Sequence, residues 1–483
     1  MIDEGQITIR NAGFLLTQRG LHILFSLLFA VLVPRLMGPH GYGRYALITS
    51  LSFWFMMLSD LAFSQIMGRY VPLFRLQGEK EKLQKFFNNL LTVSLISGVL
   101  SGCLFLSLTA FWLSDFDLFL LMTMTATIIV RSATHPFFTL FLGLNQAARW
   151  GMGDIFRHGF IIVLVFIGFY MGGLQGACLG FLLTEFVVLS IGIGWGKSYF
   201  SWTEFRLDIR YLFPYLRFGF IFFIFNLLLS AFHHSGEILV RFFYPDYVQV
   251  AYFGLAYHVF YTVSAVIPQL TLAFAPLMVT LPAQGETKVL KQWIEQLINW
   301  LTVGGVFVFF GVLLLGNNLV PLVLGALYQP VATNLLPLFM TLWIQALSSV
   351  AVLLIIVHNH PKIAVLAAGI QLVAMWTFGS FLIPRWGSLG GCFAVLAAST
   401  IYSGYLTWRM QGIITYSLEK WVLSIALGLL FLPLVWLQSS WMVNCVLYGI
   451  FVVGYVTLLL LLRIITLEEL KTVWQAIDPR RRI

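Results

Sequence analysis

The chain has 483 residues, of which 60% are hydrophobic and 10% are charged, with a formal net charge of +9. Soluble domains carry about 25% charged residues. This composition therefore excludes a soluble enzyme, a disordered chain and a nucleic-acid-binding domain, and it points to a polytopic membrane protein. Cys103, Cys178, Cys392 and Cys445 lie in apolar runs without CxxC spacing, and they read as small hydrophobes rather than disulfides or metal ligands. No cleavable signal peptide is expected, because acidic Asp3 and Glu4 precede an apolar run long enough to stay as the first helix.

A spanning helix needs about 20 mostly apolar residues. In chain order the candidates are 12–34, 42–67, 88–113, 118–143, 152–171, 174–195, 215–240, 250–282, 297–316, 335–357, 363–384, 387–408, 421–437 and 441–462. The spacing thus predicts fourteen transmembrane helices. The run 250–282 holds Pro268 and Pro276 and is expected to kink or break. Leu319–Pro330 is apolar but short and reads as an interfacial piece.

With the N-terminus in the cytoplasm, 22 of the 28 Lys and Arg fall on the inner side, among them Arg10, Arg157, Arg206, Lys471, Arg480, Arg481 and Arg482. Arg35, Arg44, Arg241 and Arg385 fall outside, and Arg19 and Arg131 lie within spans. This asymmetry predicts cytoplasmic termini. It also assigns the basic charge to the cytoplasmic leaflet rather than to nucleic acid. The outer loops are too short to fold into a domain.

An internal repeat is visible. At an offset of 207, Val31-Leu32-Val33 falls on Ile238-Leu239-Val240, Tyr45 on Tyr252, and Gln77-Gly78-Glu79 on Gln284-Gly285-Glu286. At an offset of 215, Gly172, Leu174 and Gly176 fall on Gly387, Leu389 and Gly391. The expected organisation is two parallel six-helix lobes, 1–210 and 211–410, with two further helices and a basic cytoplasmic tail in 411–483. Parallel repeats of this kind are a transporter architecture in which two bundles rock about a site at their interface.

Soluble-enzyme motifs are absent: there is no P-loop, no HExxH and no spaced Cys/His set. Gly192-Ile193-Gly194-Trp195-Gly196 follows no strand and is discarded as a dinucleotide loop. His233, His234 and Glu237 do not match a metal signature, so ordinary hydrogen bonding is expected there. Gly168, Gly172, Gly176 and Gly180 cross the turn between spans five and six, where close packing explains them. The informative residues are intramembrane charges, each costing about 2.5–3.5 kcal/mol at a helix centre on insertion scales. Arg131 lies mid-span, and Thr123, Thr127, Arg131, His135 and Thr139 recur every four residues along one helix face. That stripe is either a cavity wall whose Arg131 grips an anion or half of a structural pair with Glu185. Arg19 shares a face with His22 and Ser26, and Asp60 lies at a comparable depth in the second span. The alternatives there are a substrate contact with an ion-responsive acid, or mutual neutralisation. Glu237 and Arg241, one turn apart, are expected to pair locally.

Leu36-Met37-Gly38-Pro39-His40-Gly41-Tyr42-Gly43-Arg44-Tyr45-Ala46 closely resembles the first outer loop of the polysaccharide-transporter branch of the multidrug/oligosaccharidyl-lipid/polysaccharide (MOP) exporter superfamily. Asp60-Leu61-Ala62 resembles its Asp-Leu-Gly, with alanine in place of glycine. Leu324-Gly325-Ala326-Leu327-Tyr328 resembles its Gly-x-x-Tyr turn, and Pro384-Arg385-Trp386-Gly387-Ser388-Leu389-Gly390-Gly391-Cys392 its eleventh-to-twelfth turn. Many relatives carry Asp where this chain has Glu237. The resemblance runs from about residue 10 to residue 410 and implies fourteen helices, two lobes and a central cavity. It implies a flippase that moves undecaprenyl-diphosphate-linked oligosaccharide from the cytoplasmic to the outer leaflet for O-antigen, capsule or exopolysaccharide synthesis. Its expected setting is the bacterial inner membrane, with other polysaccharide-assembly membrane proteins as candidate partners.

On that reading Arg19, His22, Arg131 and His135 bind the anionic head, and Asp60 and Glu185 couple transport to a proton or sodium gradient. No cofactor is expected. The rivals are a drug/cation antiporter or a lipid II flippase on the same scaffold. A membrane glycosyltransferase or polymerase is less favoured, because such enzymes place catalysis in a sizeable outer loop that this chain lacks.

Overall fold

A computed structural model describes residues 2–201, 207–358, 360–412 and 414–466. Arg206, Lys471, Arg480, Arg481 and Arg482, counted above on the cytoplasmic side, lie outside the described residues, as does the side chain of Arg10. Among the described residues the fold is all-helical, as the composition requires of a lipid-embedded chain. The chain falls into two compact units. The first comprises residues 1–263 and 368–391, the second 264–367 and 392–483.

The first unit holds α1 (Ile2–Asp60), α2 (Phe63–Leu76), α3 (Lys80–Trp112), α4 (Leu118–Gly143), α5 (Ala147–Gly196), α6 (Ile209–His233), α7 (Ser235–Phe243) and α8 (Tyr247–Ser264). One of its cores is aromatic: Phe63, Phe86, Phe87, Phe137, Phe138 and Phe141 are buried together. The second unit holds α9 (Val266–Ala273), α10 (Ala275–Ala283), α11 (Thr287–Leu324), α12 (Pro330–Val357), α14 (Glu419–Leu429) and α15 (Trp441–Leu461). The intervening α13 (Pro361–Gln411) contributes to both units. The expected break in 250–282 is present, since α8, α9 and α10 divide it. The expected interfacial piece at 319–330 is not separate. Its first half is the last turn and a half of α11, which ends at Gly325 (φ +99°), before a short 3-10 turn at Ala326–Tyr328.

Among the described residues, eleven helical stretches are long and apolar enough to cross a bilayer. Thr17–Leu76, Ala147–Gly196 and Pro361–Gln411 run to 60, 50 and 51 residues. A straight helix of 50 residues would measure about 75 Å, more than twice a hydrocarbon core of about 30 Å. Each contains a reversal that an L side chain resists: Gly38 (φ 67°), Gly173 (φ 57°) and Gly387 (φ 56°).

The repeat is written in backbone geometry. Gln77-Gly78-Glu79 and Gln284-Gly285-Glu286 are the same turn, with Gly78 at φ 70° and Gly285 at φ 78°. In both, the Glu N–H donates to a carbonyl five residues back, Phe74 or Leu281. The next helix starts one residue later, at Lys80 or Thr287. The second correspondence needs a shift of one. Gly173 (φ 57°, ψ −139°) pairs with Gly387 (φ 56°, ψ −131°), so the offset is 214 rather than 215. Packing agrees. A Cβ on Gly176 would meet the Gly168 carbonyl oxygen at 1.9 Å, and one on Gly390 would meet that of Leu382 at 2.3 Å, eight residues back in each case.

Candidate functional site

The sequence-derived candidates all lie in the first unit. Its polar groups sit on α1, α4 and α5, helices too apolar elsewhere to hydrate them. Glu185 is completely buried on the second half of α5. It accepts hydrogen bonds from Arg131 Nη1 at 2.6 Å and from Arg157 Nε at 3.0 Å and Nη2 at 3.4 Å. The pair of Arg131 with Glu185 was one of the two expected alternatives; Arg157 was not foreseen there, having been assigned to the cytoplasmic flank. Two guanidinium groups on one carboxylate leave the triad with a net positive charge. Phe53 lies under Arg131, its ring centre 5.6 Å from the guanidinium carbon, so the cation keeps an aromatic face as well as an acid.

Asp60 does not neutralise Arg19. It ends the main run of α1, and its Oδ1 lies 3.2 Å from Nδ1 of His135. His135 thus joins Asp60, while Arg131 on the same face joins Glu185. Leu61 and Ala62, which follow, both have positive φ (48° and 58°). The residue that replaces the family's glycine therefore occupies the left-handed conformation for which glycine is best suited. Arg19 has no described carboxylate within ion-pair distance, and its Nε is a buried donor without a hydrogen-bond partner among the described residues. It lies near enough to Tyr261 to act on that hydroxyl electrostatically.

His22 faces Asp154 on the first half of α5, with Nδ1 and Oδ2 3.1 Å apart. Gln18 Nε2 donates to the same oxygen at 2.5 Å, and His158 Nδ1 stands 3.4 Å from Oδ1. Next to them Ser26 contacts His258 at 3.0 Å and Thr262 at 2.7 Å. Sequence reasoning missed Asp154, Arg157 and His158. Their i, i+3, i+4 spacing is the available signal.

Two local expectations resolve differently. Glu237 and Arg241 do not pair. Arg241 instead turns to Asp115, 3.8 Å away, and lies over the Tyr247 ring, whose hydroxyl donates to Asp115. Arg44 donates to the Asp115 carbonyl oxygen at 2.8 Å, so loops assigned to the outer side meet one another. His233 contacts the Tyr257 hydroxyl at 2.7 Å and His234 stacks on Phe53, so ordinary contacts account for both histidines.

Long apolar helices and a set of buried charges borne by helices of one unit define a multi-pass membrane protein. The family described as "Polysaccharide biosynthesis protein" matches residues 8–283, more than half of the chain, and the chain belongs to that family. No curated protein is matched by sequence. Among solved structures, the fold is similar to that of a lipid II flippase, MurJ, in an inward closed conformation. The TM-score is 0.68 at 15% identity, covering 93% of this chain and 97% of that one. An inward-facing multidrug resistance MATE family transporter of the MOP superfamily gives a TM-score of 0.63 at 13% identity, covering 82% and 94%. A eukaryotic MATE transporter gives 0.54 at 14%, covering 86% and 97%. The family match carries the sequence resemblance to the polysaccharide-transporter branch, and the structural likenesses carry the polytopic all-helical fold.

Proposed function

We propose that the chain is a flippase for polyprenyl-diphosphate-linked oligosaccharide, moving it from the cytoplasmic to the outer leaflet by alternating access. In this reading the three glycine-broken stretches each cross twice, giving fourteen passes. A sugar chain with a diphosphate cannot cross hydrocarbon unaided, since every unsatisfied polar group costs several kcal/mol there. The observation that carries the reading is the imbalance of satisfaction among the buried charges. On α1, α4 and α5 each described carboxylate faces a basic group: Glu185 has two arginines, Asp60 lies 3.2 Å from His135, and Asp154 has His22 and His158; Glu237 on α7 has no basic partner among the described residues. Arg19 has no acidic partner among the described residues, and its buried Nε donor remains open. Acids that face basic groups beside an arginine that faces no described acid favour an anionic ligand, by charge-assisted hydrogen bonds of the kind guanidinium forms with phosphate.

Arg19 is therefore assigned to the anionic head, with His22 beside it. Arg131 supports the same wall while tied to Glu185. Asp60, through His135, is the coupling candidate for a proton or sodium gradient, and Glu185 is reassigned from coupling to structure. The test is translocation of lipid-linked oligosaccharide in proteoliposomes, with and without an imposed ion gradient. Wild-type protein should translocate, and Arg19→Ala should fall to background while remaining folded. Full activity of Arg19→Ala, or export of cationic dyes in place of any polyprenyl-linked sugar, refutes the assignment.

A further inference from the structure

We propose that His22, Asp154 and His158 form a binding site for a divalent transition-metal ion of the Zn2+ type. The argument is independent of the transported substrate. One ligand atom from each residue can be chosen so that all three lie within 4.8 Å of one another. His22 Nδ1 and Asp154 Oδ2 are 3.1 Å apart, and His158 Nδ1 and Asp154 Oδ1 are 3.4 Å apart. Around a four-coordinate Zn2+ with bonds of about 2.0–2.2 Å, neighbouring ligand atoms stand roughly 3.3–3.6 Å apart. The two short spacings are to different oxygens of Asp154, and with one ligand atom per residue all three lie within 4.8 Å, so a small closing movement brings the cluster to such a coordination shell. Two imidazoles and one carboxylate also form a set that suits this metal class better than Mg2+ or Ca2+, which take oxygen ligands.

The support around the three residues is of the kind metal ligands require. Gln18 Nε2 donates to Asp154 Oδ2 at 2.5 Å and holds the carboxylate in place. Asp154 and His158 are one helical turn apart on α5, so a single helix presents both. His22 comes from α1, and its ring lies 4.1 Å from that of His158, centre to centre. His158 Nδ1 also faces the Asp154 carbonyl oxygen at 2.9 Å. Without metal Nδ1–H can donate to that oxygen; metal binding through Nδ1 requires the proton on Nε2. Arg131 lies within electrostatic reach of Asp154, and Arg157 is one turn along α5. Both already share Glu185, which reduces their field at the cluster. His258 is engaged by Ser26 and is not counted as a ligand.

Three protein ligands leave a position open for water or an anionic oxygen. The ion would pin the first half of α1 to α5, and with it the segment that carries Arg19.

The test uses the full chain, stripped of metal and reconstituted in nanodiscs, with Co2+ as the spectroscopic probe. Wild-type protein should bind one Co2+ per chain with the intense visible bands of tetrahedral coordination, lose them to added Zn2+, and melt at a higher temperature with Zn2+ present. His22→Ala and Asp154→Asn should each abolish the bands and the thermal shift. Gln18→Ala should weaken binding by about 10–100-fold, the range for removing the support of a ligand. Absence of both the bands and the thermal shift in wild-type protein overturns the proposal and needs no variant to fold. Undiminished binding in a His22→Ala/His158→Ala double variant also overturns it. Neither readout involves translocation, so this proposal and the flippase reading can fail separately.

Discussion

At the residue scale, buried charges divide into those that hold the fold and those free to hold something else. Glu185 is the first kind. Removing it leaves two part-buried guanidinium groups without their acid, and breaking a buried pair from one side costs up to about 3–5 kcal/mol. Glu185→Ala is therefore expected to lower thermal stability sharply in detergent, measured by a melting curve, whether or not transport is assayed. Arg19 is the second kind. With no described acid to abandon, Arg19→Ala should change stability by less than about 0.5 kcal/mol, as surface-like substitutions do, while removing translocation. Arg131→Ala cannot make this distinction, because it also removes one of the two guanidinium partners of Glu185. The intramembrane arginines and Glu185 were legible in the sequence, since any ionised residue inside a long apolar run must have a reason to be there. Their pairing was not legible. Asp60 meets His135 from another helix, and Arg157 reaches Glu185 across the bend of α5; only the folded path of the chain decides such partners.

At the scale of elements, three glycines set the reversals of the long helical stretches. Gly387 is at φ 56°, and a Cβ there would come within 2.6 Å of Gln249 Oε1, the atom that accepts the Ser388 N–H at 3.0 Å. Gly387→Ala should cost about 1–2 kcal/mol from the left-handed backbone alone, plus the displaced Gln249 contact. Gly172→Ala tests the converse. Its Cβ meets nothing within 4 Å and its φ is −145°, so it should melt within about 0.5 kcal/mol of wild type. Gly176→Ala, one turn further on, should be far worse, because its Cβ would overlap the Gly168 carbonyl oxygen. Helix positions were readable because a hydrophobic run of this length has few other outcomes. The one-residue error in the second offset arose because Gly172 and Gly173 are adjacent, and only the dihedral angles tell which one turns the chain.

At the scale of the molecule, the distribution of Lys and Arg predicts both termini in the cytoplasm. A C-terminal fluorescent-protein fusion should fluoresce and a C-terminal alkaline phosphatase fusion should be inactive; the opposite pair of results would invert the orientation. The second unit binds its last two helices through polar contacts that no periodicity announces. Asn299 on α11 donates to the Ile464 carbonyl oxygen at 3.2 Å and accepts from Ser424 Oγ at 2.6 Å, and Tyr455 donates to the Ser424 carbonyl oxygen at 2.9 Å.

The recurring turns carry a consequence for descent. Their shape persists at offsets of 207 and 214 while the chemistry does not. Arg19 corresponds to Asn226, His22 to Leu229 and Asp60 to Ile267 at the first offset; Asp154 corresponds to Ala368, Arg157 to Gln371 and Glu185 to Ser399 at the second. From Asn299 to Pro361 there is no Asp, Glu, Lys or Arg at all. If the halves arose by duplication, one copy has kept or acquired these ionised residues and the other carries uncharged residues at the matching positions. Because backbone reversals rather than charges define the common scaffold, ancestral copies could part company in this way without either losing its shape.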